Sequence, residues 1–500
     1  MEISAFDLAF DAYDDLRDCL PLPELDSGEL ESDRADGWEI LSGPHPILQL
    51  PPEVLSEIFI ECLPQYSAAP ASTRAPMLLA AICRDWREIA LSTPLLWSSF
   101  ILSVNLLRAK DGSAVVRLFE TWISRSGSCP LTMVINGVFA SISMNAAPVQ
   151  HTLPESFISA LNRCSSRWHD VNFMLPLTDF YRLQADEGLP LLRRLSITAA
   201  PNTASVESES PLPPLKLFSI APLLRDISLG PDFTPHNVIL PLHQLTYFDS
   251  RASTNITHCL DVARGAPGLL ELRLDLYTLE NWSPVRTNIK TLNIFSVMWG
   301  NNVLDVLDCM TCPALEILVV HGSDAMSPLP LHRFLSRSSP SLRELSLDCL
   351  LGPSDALVGT VSCLIALPTL AHLNIRPLAG ATAHDIFSRM CDPTSPFLPR
   401  LQTLRVQVNV GETPRMSWTY GTMTRMLVAR WNKRAGDDVD QLRVFTFSFS
   451  GSSGSLGTDP FAQPDGATLE QLERLAEQGM DIELVTERQV NSEDFWSDRR

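Results

Sequence analysis

The chain has 500 residues, too many for one ordinary domain, so it holds either two or more units or one elongated array of repeats. A hydrophobic content of 45% and a mean hydropathy of +0.07 allow a sizeable core, yet no apolar run approaches the roughly 18 residues that cross a bilayer. The net charge of -20 and a pI of about 4.9 argue against nucleic-acid backbone binding as the main activity.

The N-terminus, MEISAFDLAFDAYDDL, is acidic and lacks the basic and apolar regions of a signal peptide. Residues 1–43 hold thirteen Asp or Glu against Arg17 and Arg34, a net of -11, which predicts a solvated, disordered acidic tail. Eleven cysteines are scattered singly, an odd number that favours reduced thiols in the cytoplasm or nucleus. Cys309 and Cys312 have CxxC spacing but no second pair and no paired histidines, so they read as two thiols at a helix end, with no metal implied.

The first ordered segment spans residues 44–102. Residues 48–59 read LQLPPEVLSEIF, and Pro52 suits the first helical position, where its missing N–H costs nothing. Val54, Leu55, Ile58, Phe59 and Cys62 then fall on one helical face, with Glu53 and Glu57 near the positive end of the macrodipole. The spacing predicts a second helix through PMLLAAICRDWREIAL, with Leu79, Ile82, Cys83, Trp86, Ile89 and Ala90 as its apolar face. In STPLLW, Thr93 is a candidate N-cap with Pro94 behind it, and Trp97 closes the unit. Helices this short bury little among themselves, so an apolar side is left for a partner.

LQLPPEVLSEIFIECLP followed by ICRDWREIALSTPLLW resembles an F-box of the kind common in mushroom-forming fungi. The likeness rests on the leucine-proline start, the first-helix hydrophobes, the Cys-Arg-x-Trp-Arg element and the closing Pro-Leu-Leu-Trp. It implies a small all-α module that docks on a Skp-type adaptor and, through it, on a cullin–RING ubiquitin ligase. Carried over by position, Leu50, Pro51, Pro52, Val54, Leu55, Ile58 and Phe59 supply the first part of the adaptor contact. Ile82, Cys83 and Trp86 continue it, while Trp97 packs the module's own core. The loop 64–76 is longer than in compact F-boxes and is expected to loop out.

Residues 103–165 are expected to connect this module to a repeat array over residues 166–450. There one phrase recurs, leucine-x-x-leucine-x-leucine, as in LRRLSI from Leu192, LRDISL from Leu224 and LRELSL from Leu342. Copies start at 168, 192, 224, 245, 269, 289, 315, 342, 370, 401 and 442, mostly 20 to 32 residues apart, in or near the leucine-rich-repeat range. A proline stands two residues before several of them, as at Pro190, Pro222, Pro313, Pro340, Pro368 and Pro399. Helical stretches such as ITHCLDVA, NVLDVLDCM, PLHRFLSR, HDIFSRM and TRMLVARW lie between the phrases. The expected fold is therefore an α/β leucine-rich-repeat-like solenoid, with short parallel strands on the concave face and helices on the convex face. Residues 199–214 read as an inserted loop, 451–466 as a flexible connector and 467–500 as a C-terminal cap or tail, with one helix and one strand in ATLEQLERLAEQGMDIELV.

Residues alternating with the strand leucines point outward. The predicted exposed row includes Arg194, Ser196, Asp226, Ser228, Tyr247, Asp249, Glu271, Arg273 and Asp275. It continues through Asn293, Phe295, His321, Glu344, Ser346, Asp348, His372, Asn374, Arg376, Arg405 and Gln407. Acids dominate its middle and arginines its last third, which suits a protein substrate with a basic patch leading to an acidic one.

No Gly-rich phosphate loop, GxSxG elbow or HExxH is present, so neither an enzyme active site nor a cofactor is implied. The expected function is a non-catalytic substrate receptor of a Skp–cullin–F-box ligase, with no nucleic-acid or membrane partner. The alternative is a regulatory scaffold that never enters a ligase. Only Lys110, Lys216, Lys290 and Lys433 are lysines, against 34 arginines. Coding bias explains such a ratio; few acceptor amines would also limit self-modification beside a ubiquitin-charging enzyme.

Overall fold

Each recurring phrase becomes a short parallel strand, and the reason lies in the residues around its first leucine. The computed structural model describes residues 46–485 apart from 65–69, 104–111, 137–151, 200–212, 254–255, 277–282, 297–302, 323–326, 349–355, 393–396, 410–416, 433–438 and 451–463. The acidic tail, most of the 199–214 insertion, most of the 451–466 connector, Lys110 and Lys433 lie outside the described residues. The chain divides into two units. One comprises the residues up to Leu224 with Asn237–Pro241, and the other Arg225–His236 with the residues from Leu242 onward.

The prolines before the phrases occupy β-turns. The amides of Leu192, Leu224, Leu269, Leu315, Leu370 and Leu401 each donate to the carbonyl three residues back, at 3.1–3.3 Å. This puts Pro190, Pro222, Pro267, Pro313, Pro368 and Pro399 at the second turn position, where a fixed φ is favourable. With or without such a turn, the phrase's first apolar residue points inward: Leu192, Leu224, Leu245, Leu269, Ile289, Leu315, Leu342, Leu370, Leu401 and Leu442 are at most 1% exposed. Each such burial contributes about 1.5–3 kcal/mol.

In the second unit ten strands run parallel, in the order β5 (Asp226–Leu229), β6 (Tyr247–Ser253), β7 (Glu271–Leu276), β9 (Thr291–Ser296), β11 (Ile317–Gly322), β12 (Glu344–Asp348), β13 (His372–Ala379), β14 (Thr403–Asn409), β15 (Val444–Ser450) and β16 (Asp481–Val485). A separate two-stranded parallel pair joins β8 (Val285–Arg286) to β10 (Met310–Thr311). The residue after each first leucine donates its N–H to the same position of the preceding repeat. The chain of bonds runs Thr246 to Arg225, Leu270 to Thr246, Lys290 to Leu270, Glu316 to Lys290, and so on to Asp481 on Arg443, all at 2.8–2.9 Å. Helices Ile256–Gly265, Leu329–Ser338, Ala356–Ile365, Gly380–Met390, Ser417–Trp431 and Gly466–Glu477 alternate with the strands, and Val303–Cys309 is a 3₁₀ turn. The expected C-terminal helix and strand are Gly466–Glu477 and β16, the latter paired with β15.

The first unit holds β1 (Ser99–Ser103), β2 (Leu131–Asn136), β3 (Trp168–Leu175) and β4 (Arg194–Ala199), all parallel. Between them lie helices Gly112–Arg125 and Glu155–Arg163. Residues 103–165 are thus not a connector: the strand–helix pattern already begins at Ser99. SFILS and LTMVIN alternate inward and outward as strands must, burying Phe100, Leu102, Leu131, Met133 and Ile135, but they lack the full leucine phrase.

Among the described residues five short helical pieces precede β1: the 3₁₀ turn Pro46–Gln49, the helices Pro52–Glu61, Met77–Ile82 and Arg84–Ser92, and the 3₁₀ turn Pro94–Trp97. The single second helix expected over PMLLAAICRDWREIAL is broken at Cys83, which is extended (φ -154, ψ 173) and whose Sγ accepts the Trp86 N–H at 3.5 Å as an N-cap. Arg87 Nε donates to the Ala80 carbonyl at 2.8 Å across the break. Trp97 is fully buried, donates from Nε1 to the Ala90 carbonyl at 2.8 Å, and meets Trp122 edge-on at 4.8 Å.

Arginines tie successive helices together. Arg337 Nη2 donates to the carbonyls of Leu307 (2.6 Å) and Met310 (2.7 Å), and Arg167 reaches those of Ile123, Ser126 and Cys129. Arg430, only 4% exposed, reaches the carbonyls of Met390 (3.2 Å), Leu398 (3.1 Å) and Phe397, and burial lowers its pKa to about 10. A planar fork can hold three carbonyls at once, which a lysine ammonium on a flexible stem does poorly. Arg430→Met is expected to destabilise the protein by about 2–4 kcal/mol, because it orphans buried carbonyls, and Arg430→Lys is expected to recover less than half of that. The midpoint of urea unfolding measures both.

Candidate functional site

Two surfaces carry the residues that the sequence singles out. In helix Pro52–Glu61, Val54 and Ile58 are one turn apart on a face that is 43% and 37% exposed, and Leu50 is exposed just before it. Pro51 and Pro52 are exposed as well. Leu55 and Phe59, expected to contact the adaptor, are instead 3% and 0% exposed. They lie roughly 100° further round the helix, given 3.6 residues per turn, and that side is the one packed inward. Phe59 meets Trp86 with ring centroids 4.8 Å apart, and Ser56 Oγ lies 3.1 Å from Thr93 Oγ1. Leu55 and Phe59 are therefore core, and Trp86 and Cys83 are half-buried beside them.

The break at Cys83 changes what Met77–Ile82 presents. Leu79 is buried while Leu78 and Ile82, again one turn apart, are 43% and 54% exposed. Sequence periodicity put Leu79 and Ile82 on one face of a longer helix and passed over Leu78. A cysteine in mid-helix gives no warning that it will act as a cap.

The second surface is the outward side of the strands in the second unit. Strand register sets Asp275, Phe295, His321, Asp348 and Arg376 in one row, and Asp249, Arg273, Asn293, Val319, Ser346, Asn374 and Arg405 in the next. These side chains are not the freely exposed set expected. Asp249, Ser228, Asn293 and Ser346 are all buried. Neighbouring strands about 4.8 Å apart bring their side chains into mutual contact and cover one another.

The contacts form a ladder. Ser228 Oγ donates to Asp249 at 3.1 Å, Asn293 Nδ2 to Glu271 at 3.1 Å, and Asn374 Nδ2 to Ser346 at 2.9 Å. Phe295 lies between the Arg273 guanidinium, 4.6 Å from its centroid, and the His321 ring, stacked at 4.8 Å and 12°. His321 Nδ1 is in turn 3.3 Å from Asp348. Burial, reinforced by the carboxylates of Asp249 and Asp226, holds the Glu271 carboxyl above its ordinary range, against the lowering effect of Arg273 and Asn293. Burial likewise raises the Tyr247 hydroxyl, Asp249 adding to it and Arg273 opposing it. Glu344 and Arg376 are half-buried and Arg405 is exposed.

Cys309 and Cys312 are both buried; burial pushes their thiols up to about 11 and about 12, far from a reactive thiolate. Among the described residues no His, Cys, Asp and Glu group is arranged to hold a metal ion, and no helix is long and apolar enough to cross a membrane.

No protein-family model matches this chain, and no curated protein does. Among solved structures, a crystal structure of a protein from Bacteroides fragilis aligns with 60% of this chain and 67% of its own at 14% identity, with a TM-score of 0.27. That likeness is too loose to carry an argument.

The ladder makes a prediction about pH. Because the folded-state pKa of Glu271 is raised, its stabilising contribution is complete below the ordinary carboxylate range and is lost as pH rises through the raised value. Glu271→Gln, which keeps an acceptor for Asn293, is therefore expected to be more stable than wild type at pH 7 and equal to it near pH 4. Thermal unfolding at the two pH values reads the difference.

Proposed function

We propose that this protein is the substrate-receptor subunit of a Skp–cullin–F-box ubiquitin ligase. The helices before β1 bind the Skp-type adaptor, the outward strand face recruits a protein substrate, and a separate partner performs the chemistry. The observation that carries this reading is the pair of apolar couples Val54/Ile58 and Leu78/Ile82. Both stay in water although the helices' other apolar sides are already packed. Exposed aliphatic side chains at helical spacing suit a helical partner, and the F-box likeness of LQLPPEVLSEIF and CRDWREIALSTPLLW names the partner class. The parallel α/β repeat gives the rigid surface that substrate selection requires.

Wild-type protein is expected to retain a purified Skp-type adaptor in a pull-down. Val54→Asp/Ile58→Asp is expected to weaken it by about 100-fold, as interface anchors do, while leaving circular dichroism unchanged. Failure of wild type to bind, or undiminished binding by the double variant, would sink the reading. Co-purification of a cullin separates a ligase receptor from a scaffold that uses the adaptor alone.

A further inference from the structure

The strand face of the second unit changes sign along its length. On β7 and β12 it presents Glu271 and Glu344, while β13 and β14 present Arg376 and Arg405. Among the described residues neither of those two arginines nor Glu344 has an ion-pair partner. Between the two ends stand Phe295 and His321, stacked against each other and fixed on either side by Arg273 and Asp348.

Three polar atoms in this stretch lack a partner among the described residues. His321 Nε2 is buried without one, Nδ1 being the atom that faces Asp348. Asn374 Oδ1 is in the same state, its Nδ2 being committed to Ser346. Arg376 Nε, a donor, is also buried and unpartnered, at the point where the face turns positive. Buried polar atoms without partners are disfavoured by about 1–3 kcal/mol each, so this stretch of the face holds polarity at a cost where its charge changes sign.

Resting on the receptor reading above, we infer that this face binds an extended segment of a partner protein in which a cluster of arginine or lysine side chains is followed by a cluster of acidic ones. The basic part lies across β7 to β12 and the acidic part across β13 and β14. From β7 to β14 there are five strand-to-strand steps. At about 4.8 Å each they span roughly 24 Å, the length of about seven extended residues. The segment crosses the strands, with the Phe295–His321 stack beneath its basic part. Charge order, not overall charge, is the recognised feature.

The test uses the full-length protein and two dye-labelled twelve-residue peptides of identical composition. One carries four arginines in its first half and four glutamates in its second; the other alternates them. Fluorescence anisotropy in 0.15 M salt is expected to show the block peptide binding at least tenfold more tightly than the alternating one. Glu344→Lys and Arg405→Glu are each expected to weaken the block peptide about tenfold, with unchanged circular dichroism and unchanged retention of the Skp-type adaptor. Equal affinity for the two peptides, or wild-type affinity in both variants, would overturn the inference. Adaptor retention is read separately, so a failed receptor reading and a failed charge-order reading give different results.

Discussion

Several of the strands in the second unit's long sheet begin at a residue whose backbone has two obligations. The first leucine of the phrase must enter the core through a tight turn, and the next N–H must bond to the same position one repeat earlier. Buried backbone donors cannot be left unpaired, so meeting the second obligation settles where the strand starts. A slip of one residue would send every leucine to the wrong face. The unbroken line of bonds from Arg225 to Asp481 therefore transmits one register through ten strands. The rows of outward side chains follow from it, as does the meeting of Arg273, Phe295, His321 and Asp348, which lie far apart in the chain.

The helices have no such ladder and are joined by side chains instead. Their C-terminal carbonyls lack intrahelical partners. Arg167, Arg337 and Arg430 each bond carbonyls at the end of a preceding helical segment or in the chain just beyond it. This gives the excess of arginine over lysine a physical basis at these positions, beside coding bias and beside any benefit from having few acceptor amines. Lys290, by contrast, does what a point charge does well: it makes an exposed pair with Glu316 at 3.0 Å, an interaction worth little in water.

The two candidate surfaces differ in how their side chains are held. On the N-terminal helices the exposed aliphatic couples sit opposite an aromatic core made by Phe59 and Trp86, so the apolar surface is rigid without being buried. On the strand face, polar side chains are partly removed from water by one another. Their charges are then less screened than surface charges and their positions are fixed in advance. Glu271 shows the cost of that arrangement, since its carboxyl is pushed up by its own surroundings.

Much of the array was legible in the chain. The leucine phrase located eleven strands and the spacing of apolar residues located most of the helices, because burial at periods of two and 3.6 leaves a mark on any single sequence. The recurring prolines were visible too, although only the backbone bonds show that they occupy turns. Several features left no such mark. β1 and β2 alternate correctly but lack the phrase, so the array begins about seventy residues earlier than the repeats suggest. Nothing in PMLLAAICRDW reveals that Cys83 will leave the helix and cap the next one. By itself the sequence determined the periodicity, and with it which residues belong to strands and which to helices, because these depend on neighbours in the chain. Only the tertiary structure decided that Leu55 and Phe59 are core while Val54, Ile58, Leu78 and Ile82 face water, and that Asp249 is buried while Arg405 is not. Those outcomes depend on what packs against each side chain across a helix or a strand, and periodicity cannot specify a neighbour that is distant in the chain.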